Sequence, residues 1–282
     1  MSLHGKTMFI SGASRGIGLA IAKRAAQDGA NIALIAKTAE PHPKLPGTVY
    51  TAAKELEEAG GQALPIVGDV REPDSVAAAV AKTVEQFGGI DICVNNASAI
   101  NLGSITDVPM KRFDLMNGIQ VRGTYAVSQA CIPHMQGREN PHILTLSPPV
   151  LLDKKWLKPT AYMMAKFGMT LCALGIAEEM RDAGIASNTL WPRTLVATAA
   201  VQNLLGGDEA MARARKPDVY ADAAYVIFNK PSREYTGNSA LCEDVLYESG
   251  IKDLSVYDCT PGGKLGVDLW VEEVNPPGYV QP

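Results

Sequence analysis

Two hydrophobic textures alternate along the first third of the chain. Short, nearly apolar runs occupy residues 7–11, 31–36, 61–67 and 91–94. Between them, at 16–28, 51–59 and 73–87, apolar positions recur every three to four residues. A short apolar run reads as a strand buried on both faces, and the longer period reads as an amphipathic helix. The second half continues the pattern: helix 111–135, strand 142–146, helix 160–181, strand 185–190, helix 218–228 and a last strand at 239–242. Strands separated by helices at this spacing imply right-handed crossovers. The expectation is an α/β fold of Rossmann type, a doubly wound parallel sheet with helices on both faces, forming a single domain over residues 1–250. Beyond Gly250 the period dissolves into Pro, Gly and short mixed segments. Residues 251–282 read as a C-terminal tail that either wraps the body or packs on a neighbouring subunit.

Composition narrows the function. With 282 residues, 46% of them hydrophobic, the chain can bury a substantial core. A net charge of −4 argues against a nucleic-acid surface, which would show a basic face. No apolar run approaches the ~18 residues of a membrane span. The opening residues lack the apolar core of a signal peptide, so the expected compartment is the cytoplasm. The five cysteines are scattered and never spaced CxxC, and the four histidines form no HxxxH pair. Reduced thiols and no metal site are expected.

Candidate chemistry begins directly after the first strand, with Gly12-Ala13-Ser14-Arg15-Gly16-Ile17-Gly18. Glycines allow a tight turn and a close backbone approach to a pyrophosphate, and the following helix offers free N–H groups at its start. Asp69-Val70 follows the third strand, Asn95-Asn96-Ala97 the fourth, and Tyr162-Met-Met-Ala-Lys166 the fifth. This ordered set resembles the short-chain dehydrogenase/reductase family, over about residues 5–245. The resemblance implies a nicotinamide cofactor held by Gly12, Ser14, Arg15, Gly16, Ile17 and Gly18. It also implies that Asp69 and Val70 meet the adenine, Asn96 and Ala97 the ribose side, and Pro192 the nicotinamide. The run 37–53, with Ala130-Cys-Ile-Pro and Ser147-Pro-Pro, is similar to a subgroup whose members often carry a sterol-carrier domain. The dehydrogenase domain alone is expected here.

NADP is expected over NAD. The second strand ends at Ala36, where a carboxylate would accept the ribose 2′-OH, and Lys37 follows. Lys37 and Arg15 would attract a 2′-phosphate. Lys44 and His42, in the Pro-rich insert, are further candidates with solvent as the alternative.

The reaction needs a group that exchanges a proton with the substrate oxygen. Tyr162 and Lys166, four apart, share one helix face, and an ammonium nearby favours the phenolate. By resemblance Lys166 also holds the nicotinamide ribose. A second YxxxK, at Tyr50 and Lys54, stands near the adenine end, where Tyr50 reads as a helix-start packing residue. The family's serine, 13 residues before the tyrosine, falls on Pro149, leaving Ser147 as the nearby hydroxyl. Its asparagine falls on Gln120, with Asn117 in reserve. Pro192-Arg193 replaces a Pro-Gly, and Ser98 the last glycine of NNAG.

Leu151, Leu152, Trp156, Leu157, Met163 and Trp191 are expected around the substrate, favouring an apolar body with one hydroxyl or carbonyl. Lys154, Lys155, Lys158 and Arg193 would recognise an acidic group or be solvated. The expected activity is NADP-dependent interconversion of an apolar, lipid-like or acyl alcohol and its ketone or aldehyde. A redox-silent NADP-binding sensor or scaffold is the alternative. The resemblance further implies a homodimer or homotetramer built on helices 111–135 and 160–181.

Overall fold

The computed structural model describes residues 2–42 and 45–279. Seven parallel strands form one sheet: β1 (Thr7–Ser11), β2 (Asn31–Ala36), β3 (Gln62–Val67), β4 (Ile92–Asn95), β5 (His142–Thr145), β6 (Ala186–Trp191) and β7 (Ser239–Leu241). Their order is β3-β2-β1-β4-β5-β6-β7. The chain runs outward from β1 to β3, then returns to β4 on the other side of β1. Above that β1/β4 reversal, the carboxyl ends of the strands leave a crevice.

Ten α-helices are present among the described residues. They are α1 (Gly16–Ala26), α2 (Val49–Glu58), α3 (Pro73–Phe87), α4 (Met110–Asn117), α5 (Gly123–Cys131), α6 (Thr160–Glu179), α7 (Ala199–Leu204), α8 (Gly207–Ala212), α9 (Asp218–Phe228) and α10 (Cys242–Glu248). One apolar core lies between the sheet and α1, α2, α9 and α10, with Ile10, Leu34, Leu56 and Ile227 fully buried. A second lies on the opposite face, under α3 and α5, around Phe9, Ile35, Ile90 and Ile143. Strands buried on both faces explain the continuous apolar runs of the sequence.

The helices differ from expectation in three ways. The predicted helix 111–135 is broken by a wide π-turn at Gly118–Arg122, between α4 and α5. Helices α7, α8 and α10 lie where the sequence reading placed no helix; all are short, six or seven residues, below the length at which a 3.6 period declares itself. Helix α6 reaches a mean hydropathy of 1.3, long and apolar enough to cross a membrane by composition. Ten of its residues are buried, which accounts for that apolarity inside the fold.

The tail is a structural part of the body. Arg215, fully buried, pairs with Glu243 on α10 and with Asp258, both at 3.0 Å, and donates to Asn275 at 2.8 Å. Residues 266–271 then run along the exit of β6, and Trp270 is buried against Tyr162, Phe167 and Trp191.

Candidate active site

A continuous cavity of about 1040 Å³ occupies the crevice, at the upper end of the roughly 300–1,000 Å³ usual for ligand pockets. At one end it is lined by Gly12, Ser14, Arg15, Gly16, Ile17, Lys37, Asp69, Val70, Asn96 and Ala97. At the other end stand Ser98, Tyr162, Lys166, Pro192 and Asp268.

The glycine loop is shaped by contact with the exit of β4. Gly12 has φ +71°, and a Cβ there would meet Ala97 Cα at 2.9 Å, so only glycine fits. Asn96 donates from Nδ2 to the carbonyls of Ser11 and Gly12, both at 2.9 Å, stapling the loop to β4. The Asn96 amide is thus spent on the protein, though the residue still borders the cavity. Gly18 does not line the cavity; a Cβ there would stand 2.5 Å from Asn96 Nδ2, so its place is helix–strand packing. Arg15 stands at the N-cap of α1, and its side chain makes no capping hydrogen bond. The first-turn N–H groups of α1 therefore face the cavity uncapped, a setting that suits a pyrophosphate.

The adenine end carries more charge than the motif suggested. Asp69 is held by both Arg71 (2.6 Å) and Lys37 (3.1 Å), which keep its carboxyl well below the usual range. Arg15 is fixed by the Pro-rich insert, donating to the carbonyls of Pro46 and Gly47, both at 2.8 Å. His42 also lines this end, whereas Lys44 lies outside the described residues.

At the catalytic end, α6 carries Tyr162 and Lys166 one turn apart, both on the cavity wall and both buried. Lys166 Nζ donates to the Leu146 carbonyl at 2.8 Å, and it lies 5.2 Å from the Trp191 ring centre. Burial lowers its ammonium to about 7, with the Asp268 carboxylate opposing. Burial pushes the Tyr162 phenol above its ordinary value, the Asp268 charge adds to this, and a hydrogen bond from Ser98 opposes it. The expected lowering of the phenol by the Lys166 ammonium is not among these influences, and burial sets the direction.

Two predicted catalytic residues do not reach the cavity. Ser147 is fully buried and accepts a hydrogen bond from Thr170 Oγ1 at 2.8 Å, because the Pro148-Pro149 step leaves it facing α6. Gln120, fully buried in the π-turn, accepts the Ala99 N–H at 3.3 Å, and its Nε2 has no hydrogen-bond partner among the described residues. Asn117 donates to its own helix, at the Phe113 carbonyl. Tyr50 is 55% exposed on α2, contrary to a packing role. Arg193 does not face a nicotinamide: its guanidinium binds Asp244 at 2.6 Å and the Glu273 carbonyl, and its N–H donates to Glu243. Lys155 pairs with Glu272.

The apolar lining also differs from expectation. Of the six residues named, Trp191 alone borders the cavity; Leu151, Trp156 and Met163 pack against the buried cluster that holds Tyr162 and Trp270, and Leu152 and Leu157 are exposed. Ile100, Leu102, Leu204, Leu205 and Leu269 supply the apolar wall instead. Sequence reasoning missed Asp268 and Leu269, since nothing in the aperiodic tail tied them to α6.

The short chain dehydrogenase family pattern matches residues 6–207. Hydroxysteroid dehydrogenase-like protein 2 of Danio rerio is 55% identical over 271 residues, covering 96% of this chain and 65% of that protein. The Homo sapiens protein of the same name is 52% identical, covering 96% and 64%. The chain thus spans less than two thirds of the length of these relatives. A short chain dehydrogenase from Mycobacterium thermoresistibile is 83% identical over the full length of both chains, with a TM-score of 0.96. A metagenomic blue fluorescent protein in complex with NADPH is 26% identical over 86% of this chain and 97% of its own, with a TM-score of 0.73. On the strength of its family pattern, its relatives and its seven-stranded parallel sheet, the chain belongs to the short-chain dehydrogenase/reductase family.

Proposed function

We propose that this protein is an NADP-preferring oxidoreductase interconverting an apolar alcohol and its ketone or aldehyde. The observation that carries the reading is one cavity joining the glycine loop to Tyr162 and Lys166. Arg15 and Lys37 border the adenosine side, and no acid ends β2, where Ala36 stands. Cations there favour a 2′-phosphate. NADPH in a structural neighbour is in keeping with this choice.

Bound nicotinamide supplies the hydride. The other tasks fall to the chain. Tyr162, its phenol held protonated by burial, donates to the carbonyl oxygen during reduction. Lys166, charged below about 7, steadies the phenolate that remains and holds the ribose. The apolar wall of Leu102, Leu204, Leu205 and Leu269 accepts a hydrophobic body. Of the four cations considered for an acidic group, Arg193 and Lys155 are already paired, which supports a neutral substrate. Exposed Tyr125 on α5 and Met164 and Leu171 on α6 supply an apolar face for a homodimer or homotetramer.

The rival reading, a redox-silent NADP sensor, draws on the inward-turned Ser147 and Gln120. NADPH oxidation against apolar ketones, aldehydes and 3-oxoacyl thioesters separates the two. Tyr162→Phe is expected to lower turnover by ~10³-fold while leaving NADPH affinity nearly unchanged. Equal turnover in that variant removes Tyr162 from the chemistry. Silence of the unaltered protein, with NADPH still bound, selects the sensor.

A further inference from the structure

The C-terminal segment brings a carboxyl group to the catalytic end of the cavity. Asp268 lines the wall together with Ser98, Tyr162 and Lys166. Four contacts set its place. Its own N–H donates to the Arg193 carbonyl at 3.1 Å. The Leu269 carbonyl accepts Trp191 Nε1 at 2.9 Å. Trp270 stacks on Tyr162, ring centres 5.7 Å apart, and donates to the Trp156 carbonyl. The backbone on both sides of the carboxyl is therefore tied to the exit of β6 and to the approach of α6.

Only one carboxyl oxygen is occupied. Oδ1 accepts the Leu269 N–H at 2.6 Å, while Oδ2 has no hydrogen-bond partner among the described residues. The other polar groups nearby have less to offer a substrate. Ser147 and Gln120 face the interior, Lys166 is bound to Leu146, and Ser98 is engaged with Tyr162. We infer that Asp268 is a catalytic residue of the carbonyl reduction, its Oδ2 gripping the reacting oxygen beside Tyr162.

This rests on the oxidoreductase reading above. The charged and titratable groups that interact with Asp268 are Lys166 and Tyr162 on α6, Glu243 and Cys242 on α10, and Tyr220 on α9. Burial, with Glu243 adding, raises the carboxyl to about 7, and Lys166 and the Leu269 N–H oppose. Protonated, it donates to a carbonyl oxygen; ionised, it repels one. In the reduction the carbonyl carbon receives the hydride and the oxygen takes the Tyr162 proton. Asp268 keeps its own proton, and its hydrogen bond strengthens as negative charge grows on that oxygen. A carboxyl in this place also disfavours an anionic group next to the reacting carbon.

Asparagine preserves the shape and a donor, whereas alanine removes both. With an apolar ketone, Asp268→Asn is expected within about threefold of the unaltered kcat/KM. Asp268→Ala is expected to lose ~100-fold in kcat, the scale of one oxyanion donor, with NADPH affinity unchanged. Unaltered turnover in Asp268→Ala, or an asparagine variant as slow as the alanine one, overturns the inference. If the alanine variant fails to fold, infrared difference spectra decide. The NADP+-bound protein is compared with and without acetophenone, a pairing that cannot turn over. A protonated-carboxyl stretch that shifts with acetophenone and is absent from Asp268→Asn supports the inference; no such band, or one that does not move, overturns it. The two readings fail separately. Turnover that needs Tyr162 but ignores Asp268 sinks this inference alone, whereas silence of the unaltered protein sinks the oxidoreductase reading and leaves the infrared arm to judge Asp268.

Discussion

The glycine-rich end of the cavity is assembled from the first strands and the turns that directly follow them, whereas the catalytic end is closed by a segment far downstream. At the first end, Gly12, Asn96 and Asp69 sit where their strands stop, so position in the chain dictates position in space. At the second, Asp268 and Trp270 meet Tyr162 because Arg215 draws the tail inward, through partners from three separate stretches. One end depends on backbone geometry and the other on a buried ionic tie. They should fail under different mutations.

Arg215→Ala strikes the second end alone. It leaves Glu243 and Asp258 as buried carboxylates without their cation, a loss on the order of 3–5 kcal/mol. Urea unfolding checks it, and turnover is expected to fall more than NADPH affinity. A stability change under about 1 kcal/mol would mean that the tail is held by its apolar contacts instead.

Lys37→Asp strikes the first end. It removes a cation beside Asp69 and adds a second acid there, so preference should move toward NAD by about tenfold, the worth of one charge-assisted hydrogen bond of roughly 1.5 kcal/mol. The ratio of kcat/KM for the two cofactors checks it; an unchanged ratio takes Lys37 out of the phosphate site.

A pH signature of the second end sharpens the comparison without disturbing either end. Asp268 titrates higher in the fold than when unfolded, so its contribution to stability falls as pH rises from about 4 to about 7. Lys166 titrates lower in the fold, so its contribution rises as pH climbs from about 7 toward its unfolded value. The two slopes meet near pH 7 in a minimum. Unfolding curves across this range should show it in the unaltered protein, and Asp268→Asn should flatten its acid limb. An acid limb of the same slope in that variant assigns it to other carboxylates.

This contrast also marks how far the sequence could be read. The strands, the glycine loop and the Tyr162–Lys166 turn follow from local period and spacing, and each lies where the pattern placed it. Ser147 did not, because a Pro-Pro step reorients the chain in a way no spacing records. Gln120 sits in a π-turn whose residues keep a helical pattern, so the break was invisible. The apolar wall came from α7 and the tail, a helix too short and a segment too irregular to declare themselves. Arg193 looked like a ligand-binding cation, but its partners Asp244 and Glu273 lie fifty and more residues away, and only folding brings them together.

The chain contains three tryptophans, Trp156, Trp191 and Trp270, and the structure gathers all of them into the one cluster around Tyr162. The protein is therefore its own optical gauge. Its entire indole emission arises beside the reacting groups, undiluted by indoles elsewhere. Quenching or energy transfer to a reduced nicotinamide reports on that site alone, and binding, tail release and local titration can be followed without attaching a label.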